Sequence, residues 1–310
     1  MPVLSVVVAA YNAVATIGDT LASLERQSAR EFCEIIVVDS SEDGTGAFVK
    51  QHFPDVRLLE FPTRMFCGDA RNEGIRAARG QIIVLTDADC SMGPTWLEDV
   101  LRSHEGAHPV VGGAIACGNP ESYVGWGAYF TEFSAWQPSG RSRLVADMAC
   151  ANISYRRWIF DAYGKFIEGT YCSDTEFHWR LARGGIAIRF DPAIIVFHRN
   201  LQHLGRFLRH EFFHGMSFAR MRCMARAISI RRRMGYFFLC PLIFLKLLLK
   251  NAGHGLFAGS YRASYLKALP VTVLGILSWT AGEATGYFRG PRPDACGYPQ
   301  GAVPGVDLIP

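Results

Sequence analysis

The chain has 310 residues, enough for one large domain with an appendage, and its 49% hydrophobic and 19% charged residues make it slightly apolar for a soluble protein. Lys and Arg total 32 and Asp and Glu 28, and the resulting net charge of +4 is too mild to argue for a nucleic-acid partner. The 9 cysteines form no CxxC pair, which argues against a structural zinc site or a disulfide framework and for reduced thiols in a cytosolic setting.

Met1-Pro2-Val3-Leu4-Ser5 runs straight into a strand pattern without a charged n-region, so no secretory signal is expected. Leu4–Ala10 reads as a continuous apolar strand. Residues 14–28 carry Ile17, Leu21 and Leu24 at helical spacing. A second buried strand, Glu34–Val38, ends at Asp39, and a weaker third covers Val56–Phe61. Ala70–Arg79 reads as a helix stopped by Gly80. Ile82–Leu85 is the next strand and Pro94–His104 the next helix. Repeated strand–helix units with fully apolar strands predict an α/β fold, Rossmann-like, with a mostly parallel sheet covered by helices on both faces. Ligands of such sheets sit beyond the carboxyl ends of the strands. Tyr11-Asn12, Asp39 and Asp87/Asp89 all fall at such ends.

Asp87-Ala88-Asp89 is the most pointed of these. Two carboxylates one residue apart are costly to keep together without a cation. Hard oxygen ligands suit Mg²⁺ or Mn²⁺, usually held together with substrate phosphates. The bland alternative is a solvated pair capping the helix that Pro94-Thr95-Trp96 opens.

Further on, residues 118–143 are rich in Gly, aromatics and Ser and read as a mobile or substrate-facing segment. Asp174–Arg183 is a short helix, and Ile186–Phe190 and Ile194–Phe197 are strands broken by Asp191-Pro192. Residues 201–233 are basic and aromatic; His203, His210 and His214 read there as an amphipathic face near a membrane or an acceptor, not as a metal site. Met234–Leu249 and about 268–288 are apolar, but each is short or interrupted against the roughly 20 residues that span a bilayer. The arginines ahead of them fit a cytoplasmic flank. A membrane hairpin or in-plane helices are expected, against a buried helical subdomain. The division expected is a catalytic domain over 1–225, an apolar helical region over 226–290 and a disordered tail over 291–310.

Val8-Ala9-Ala10-Tyr11-Asn12, Ile35–Asp39 with Ser40–Thr45, Ala70-Arg71-Asn72-Glu73-Gly74 and Thr86-Asp87-Ala88-Asp89, in this order, resemble the family 2 glycosyltransferases over roughly residues 3–200. The resemblance implies a GT-A fold and a nucleotide-diphosphate sugar donor. It assigns Ala10, Tyr11, Asn12, Asp39, Arg71 and Asp87 to that donor. Physically, Asp39 can accept from a nucleobase imide or ribose, Tyr11 can stack on the base, and Asn12 can both cap a helix and touch the nucleotide. Arg71 offers a guanidinium fork to the diphosphate. Asp89 is the expected ligand of Mn²⁺ or Mg²⁺, with Asp87 at the ribose or behind the ion, and His198 in the place where some relatives complete the metal shell. Cys172–Phe177 with Arg180-Leu181 resembles the acidic motif in which an Asp accepts the acceptor hydroxyl's proton, which gives that role to Asp174. The family often has Glu where Ser173 stands, leaving Glu176 and Glu168 as fallback bases.

The QxxRW motif of processive relatives is missing, so single addition is favoured. The function expected is an inverting, metal-dependent transfer to a lipid-linked or cell-envelope glycan acceptor, at the cytoplasmic face of the inner or plasma membrane. The alternative is a non-catalytic, membrane-attached nucleotide- or glycan-binding partner of a polysaccharide assembly system. A sugar nucleotidyltransferase would want a Gly-rich phosphate loop, and Ala9–Ala15 has none. No oligomeric state follows from the sequence.

Overall fold

The computed structural model describes residues 2–291, so the tail expected to be disordered lies outside the described residues save for Pro291. The strands β1 (Leu4–Ala10), β2 (Cys33–Asp39), β3 (Arg57–Glu60) and β4 (Ile82–Asp87) are parallel, in the order β3-β2-β1-β4. β1 is buried at every position, as an apolar strand flanked on both edges requires; its one polar residue, Ser5, donates to Glu34 at 2.6 Å. Between these strands run α1 (Ile17–Glu25), α2 (Thr45–His52) and α3 (Cys67–Ala77). Ile17, Leu21 and Leu24 are fully buried on α1, each worth roughly 1.5–3 kcal/mol over exposure.

The second half of the sheet is mixed. After β5 (Cys90–Met92) and α4 (Trp96–Ser103) come β6 (Val110–Cys117), α5 (Tyr123–Phe133), β7 (Arg143–Val145) and β8 (Asn152–Arg156). They are followed by α6 (Trp158–Tyr163), α7 (Ser173–Arg183) and β9 (Ile188–His198). β8 lies antiparallel between β4 and β6, β6 is parallel to β9, and β5 and β7 run antiparallel on β9. The two strands expected across Asp191-Pro192 are one, because the register shifts opposite Gly113/Ala114 and the bulge accommodates a proline without a ladder donor. The segment expected to be mobile contains α5, whose Tyr129, Phe130 and Phe133 are buried.

His104, at the end of α4, is 2% exposed, and its Nε2 lies 2.8 Å from Ser154 Oγ. Burial, with the Arg156 guanidinium, lowers its pKa to about 4 from the ordinary 6.5. The unfolded chain therefore binds the extra proton between those values, and stability falls as pH drops through that window. From about pH 7 to about pH 5 this group costs about 2 kcal/mol. His104→Gln should flatten the acid limb of urea-unfolding stability by that amount; an unchanged limb would remove His104 from the account.

The chain ends in α8 (Leu204–Ala225), α9 (Ile230–Gly253) and α10 (Arg262–Arg289). α10 packs along α8 and α5. The α8–α10 backbones approach so closely that a Cβ on Gly282 would lie 1.8 Å from the Phe212 carbonyl oxygen, and one on Gly215 2.1 Å from that of Trp279. By length and composition alone, the segment Ile230–Phe257, which contains α9, could cross a membrane. Phe238, Leu242, Leu245 and Leu249 of α9 are exposed, at the spacing of one helix face.

Candidate active site

The register of the sheet gathers the polar strand ends. Ala10 pairs with Asp39, and Ala9 with Asp87, so the ends of β1, β2 and β4 share one edge. Cys90 and Cys117 both pair with His198, which brings the turn after β4 against the end of β9.

Within the triplet the two carboxylates have different partners. Asp87 Oδ1 accepts from Arg71 Nη2 at 2.6 Å, and both side chains are largely buried. Asp89, in the turn between β4 and β5, instead faces His198, with Oδ1 to Nε2 3.5 Å. Burial raises Asp89 to about 6 despite His198. Burial opposes charge on His198, but Asp89, Glu132 and Asp87 outweigh it and raise its pKa. His198 Nδ1 is 3.0 Å from Asn200 Oδ1, and Asn200 is locked in turn by a pair of bonds to Asn119. A ring nitrogen held by an outer partner, with the other turned to a carboxylate, is how protein metal ligands are oriented. This donor set therefore fits a divalent cation. Cys90 lies within reach of both, but burial keeps its thiol protonated, a poor ligand.

Two cavities meet here. The smaller, about 340 Å³, is lined by Tyr11, Asn12, Asp89, Arg199, His203 and Arg206. The larger, about 860 Å³, is lined by Arg71, Asp87, Asp174 and His198 among others. Asn200 and Leu201 line both, so the Asp89–His198 pair stands at their partition. Ala10 and Asp39 line neither. Asp39 is buried behind Ser41, whose backbone N–H and hydroxyl both donate to Oδ1. Arg64 covers the Tyr11 ring at 4.5 Å. Asn12 does not cap α1; it adopts a left-handed conformation, φ 51°, and its Oδ1 takes the Glu42 N–H, closing the loop after β2.

Asp174 sits in the first turn of α7, its Oδ1 accepting from Thr175 N. Burial raises its pKa, opposed by Arg71 and His178 and assisted by Asp147. Cys172, just before α7, has φ 61°, a strained conformation for a non-glycine residue. Ser173 is pressed against α3: a Cβ on Gly68 would come 2.3 Å from Ser173 Oγ. Ser173 also lines the larger cavity, at the position where the motif often has Glu. Of the three candidate bases, only Asp174 lines the larger cavity. Glu176 is tied to Arg180 at 2.5 Å, and Glu168 takes a 3.4 Å contact from Asn72.

Two features escape a reading by motif. Asp147 lines the larger cavity and holds His178 Nδ1 at 2.7 Å, while His178 Nε2 lies 2.8 Å from the Tyr155 hydroxyl. His210 and His214 do not lie on an exposed amphipathic face, as His203 does: His210 is buried and both line the larger cavity.

The family model described as Glycosyl transferase family 2 matches residues 5–164, more than half of the chain. Among curated proteins, the uncharacterized glycosyltransferase YfnE of Bacillus subtilis is 27% identical over 179 residues, 56% of this chain and 44% of that protein. The glycosyltransferase AglE of Haloferax volcanii is 25% identical over 242 residues, 75% of this chain and 78% of that one. The chain thus spans less than half of the first relative and most of the second. Among solved structures, the mannosyltransferase PcManGT of Pyrobaculum calidifontis, in complex with GDP-Man and Mn²⁺, matches with a TM-score of 0.52 at 21% identity. It covers 87% of this chain and 74% of that one, a likeness of fold.

Proposed function

Because the chain belongs to glycosyl transferase family 2, with a GT-A fold, we propose that it is an inverting, metal-dependent glycosyltransferase. It moves a sugar from a nucleotide-diphosphate donor to a hydroxyl of a lipid-linked or cell-envelope glycan acceptor, at the cytoplasmic face of the inner or plasma membrane. The observation that carries this reading is the course of the larger cavity. It runs from Arg71, Asp87 and Asp174 to Leu239, Ile243 and Lys246 of α9, so one space joins a carboxylate base to an apolar helix.

In this reading the donor's nucleotide lies in the smaller cavity, where Arg199 and Arg206 offer positive charge to the diphosphate. Asp89 and His198, at the partition of the two cavities, would hold Mn²⁺ or Mg²⁺, and PcManGT, of like fold, is known with GDP-Man and Mn²⁺. Such an ion neutralises charge growing on a departing nucleoside diphosphate. The N-termini of α3 and α7, which meet at Gly68 and Ser173, add positive dipole ends to the larger cavity. Asp174 takes the proton of the acceptor hydroxyl as its oxygen attacks the anomeric carbon opposite the leaving diphosphate, which inverts that centre. A panel of nucleotide sugars offered with Mn²⁺ and a polyprenyl-phosphate-linked acceptor tests the reading; neither transfer nor donor hydrolysis on any of them would favour the non-catalytic partner.

The outward face of α9 supports membrane attachment through Phe238, Leu242, Leu245 and Leu249. Leu242→Glu/Leu249→Glu should lower co-flotation with anionic phospholipid vesicles by at least about tenfold, since each leucine contributes roughly 1.5–3 kcal/mol on burial. Flotation equal to the unmutated protein would remove α9 from the membrane contact.

A further inference from the structure

α8 carries the sequence His210-Glu211-Phe212-Phe213-His214, which sets two imidazoles four residues apart on one helix face with a carboxylate beside them. The last turn of α5 adds Glu132, whose Oε1 lies 3.8 Å from His210 Nε2. One ligand atom from each of the four residues lies within 4.8 Å of all the others. Glu211 is fully buried, and neither of its oxygens receives a hydrogen-bond donor; His214 Nδ1 is likewise without a partner. Glu211 sits against a second carboxylate, Glu132, whose charge disfavours its own. Two buried carboxylates set against each other are costly in a protein interior unless a proton or a cation is shared.

We propose that Glu132, His210, Glu211 and His214 bind a divalent cation of the zinc class, at a site distinct from Asp89–His198. Two imidazoles and two carboxylates match zinc's preference for mixed nitrogen and oxygen ligands, whereas Mg²⁺ favours oxygen alone. The two negative charges balance a dication, so the filled site is neutral in its buried setting. Tyr171 and Trp279 wall it, their ring centroids 4.8 and 4.4 Å from that of His214. All four ligand residues line the larger cavity, which gives the ion an entry path. The cation ties α5 to α8 where the acceptor is proposed to enter, and it does not depend on the assignment of a glycosyl donor.

The test uses the full chain carrying Asp89→Asn, so that the other site is silenced. Zn²⁺ is added, excess is dialysed away, and bound metal is counted by mass spectrometry. One Zn²⁺ per chain should remain. Adding His214→Gln or Glu132→Gln should weaken binding by at least about 100-fold in competition with a chromophoric chelator, since even outer-shell changes cost 10–100-fold. Cobalt in place of zinc, on the chain with all four residues intact, should give the visible bands of tetrahedral Co²⁺ and needs no folding of a cluster variant. Dialysis to a metal-free protein, zinc affinity unchanged by both glutamine variants, or a cobalt spectrum without those bands would overturn the site and leave a shared proton between Glu132 and Glu211.

Discussion

Asp174→Asn is expected to lower sugar transfer by about 10²–10⁴-fold, the usual contribution of a general base, while leaving Mn²⁺-dependent nucleotide binding unchanged. The amide keeps the shape and can still accept the Thr175 N–H bond that orients the side chain, so the loss isolates proton transfer. Burial holds the Asp174 carboxyl above the ordinary carboxylate range. Transfer should accordingly fall on acidification through that raised pKa, and the acid limb should vanish in the variant. The measurement is kcat/KM against pH, alongside calorimetric nucleotide binding. Retained turnover would move the base to Asp147, a second carboxylate of the cavity wall that is steadied by His178 and reaches Asp174 electrostatically. Asp147→Asn made in parallel tells the two apart.

The donor-side architecture is legible in the sequence because its signals are local. β1, β2 and β4 are largely apolar runs that end at or just before a polar residue, the pattern of a buried parallel strand. β8 is not legible in this way. It buries Asn152 and Ser154, and such a strand is stable only because distant groups satisfy it: Asn152 Nδ2 donates to Ala114 and Ile194 carbonyls, its Oδ1 takes Trp96 Nε1–H, and Ser154 Oγ donates to Val111. α5 is hidden for a related reason. Gly125 and Gly127 lower its helix propensity, and packing on α10 supplies what propensity lacks: a Cβ on Gly127 would lie 2.2 Å from Val271 Cγ1. The inward turn of His210 and His214 likewise depends on α10, which presses on α8 through Gly215 and Gly282. Spacing alone could have flagged the 210–214 pattern; that Glu132 completes it could only come from the fold.

Asp89→Asn should abolish the Mn²⁺-dependent part of nucleoside diphosphate binding, a loss of at least about 100-fold, because removing a direct ligand exceeds the 10–100-fold cost of disturbing an outer partner. Binding measured in chelator should not change, and neither should thermal stability, since the Asp89 carboxylate is held by no short ion pair that the amide would break. Asp87→Asn should behave in the opposite way. Asp87 and Arg71 form a buried pair at 2.6 Å, and a variant that strands the guanidinium costs about 3–5 kcal/mol of stability. Two carboxylates one residue apart then separate cleanly by experiment, one read in metal-dependent affinity and the other in melting temperature. If Asp89→Asn instead lowers the melting temperature while metal-dependent binding persists, the ion lies elsewhere on the cavity wall. The Glu132, His210, Glu211 and His214 cluster would then be the first place to look, since Glu132 lies 3.8 Å from His210 and its charge also favours the protonated form of His198.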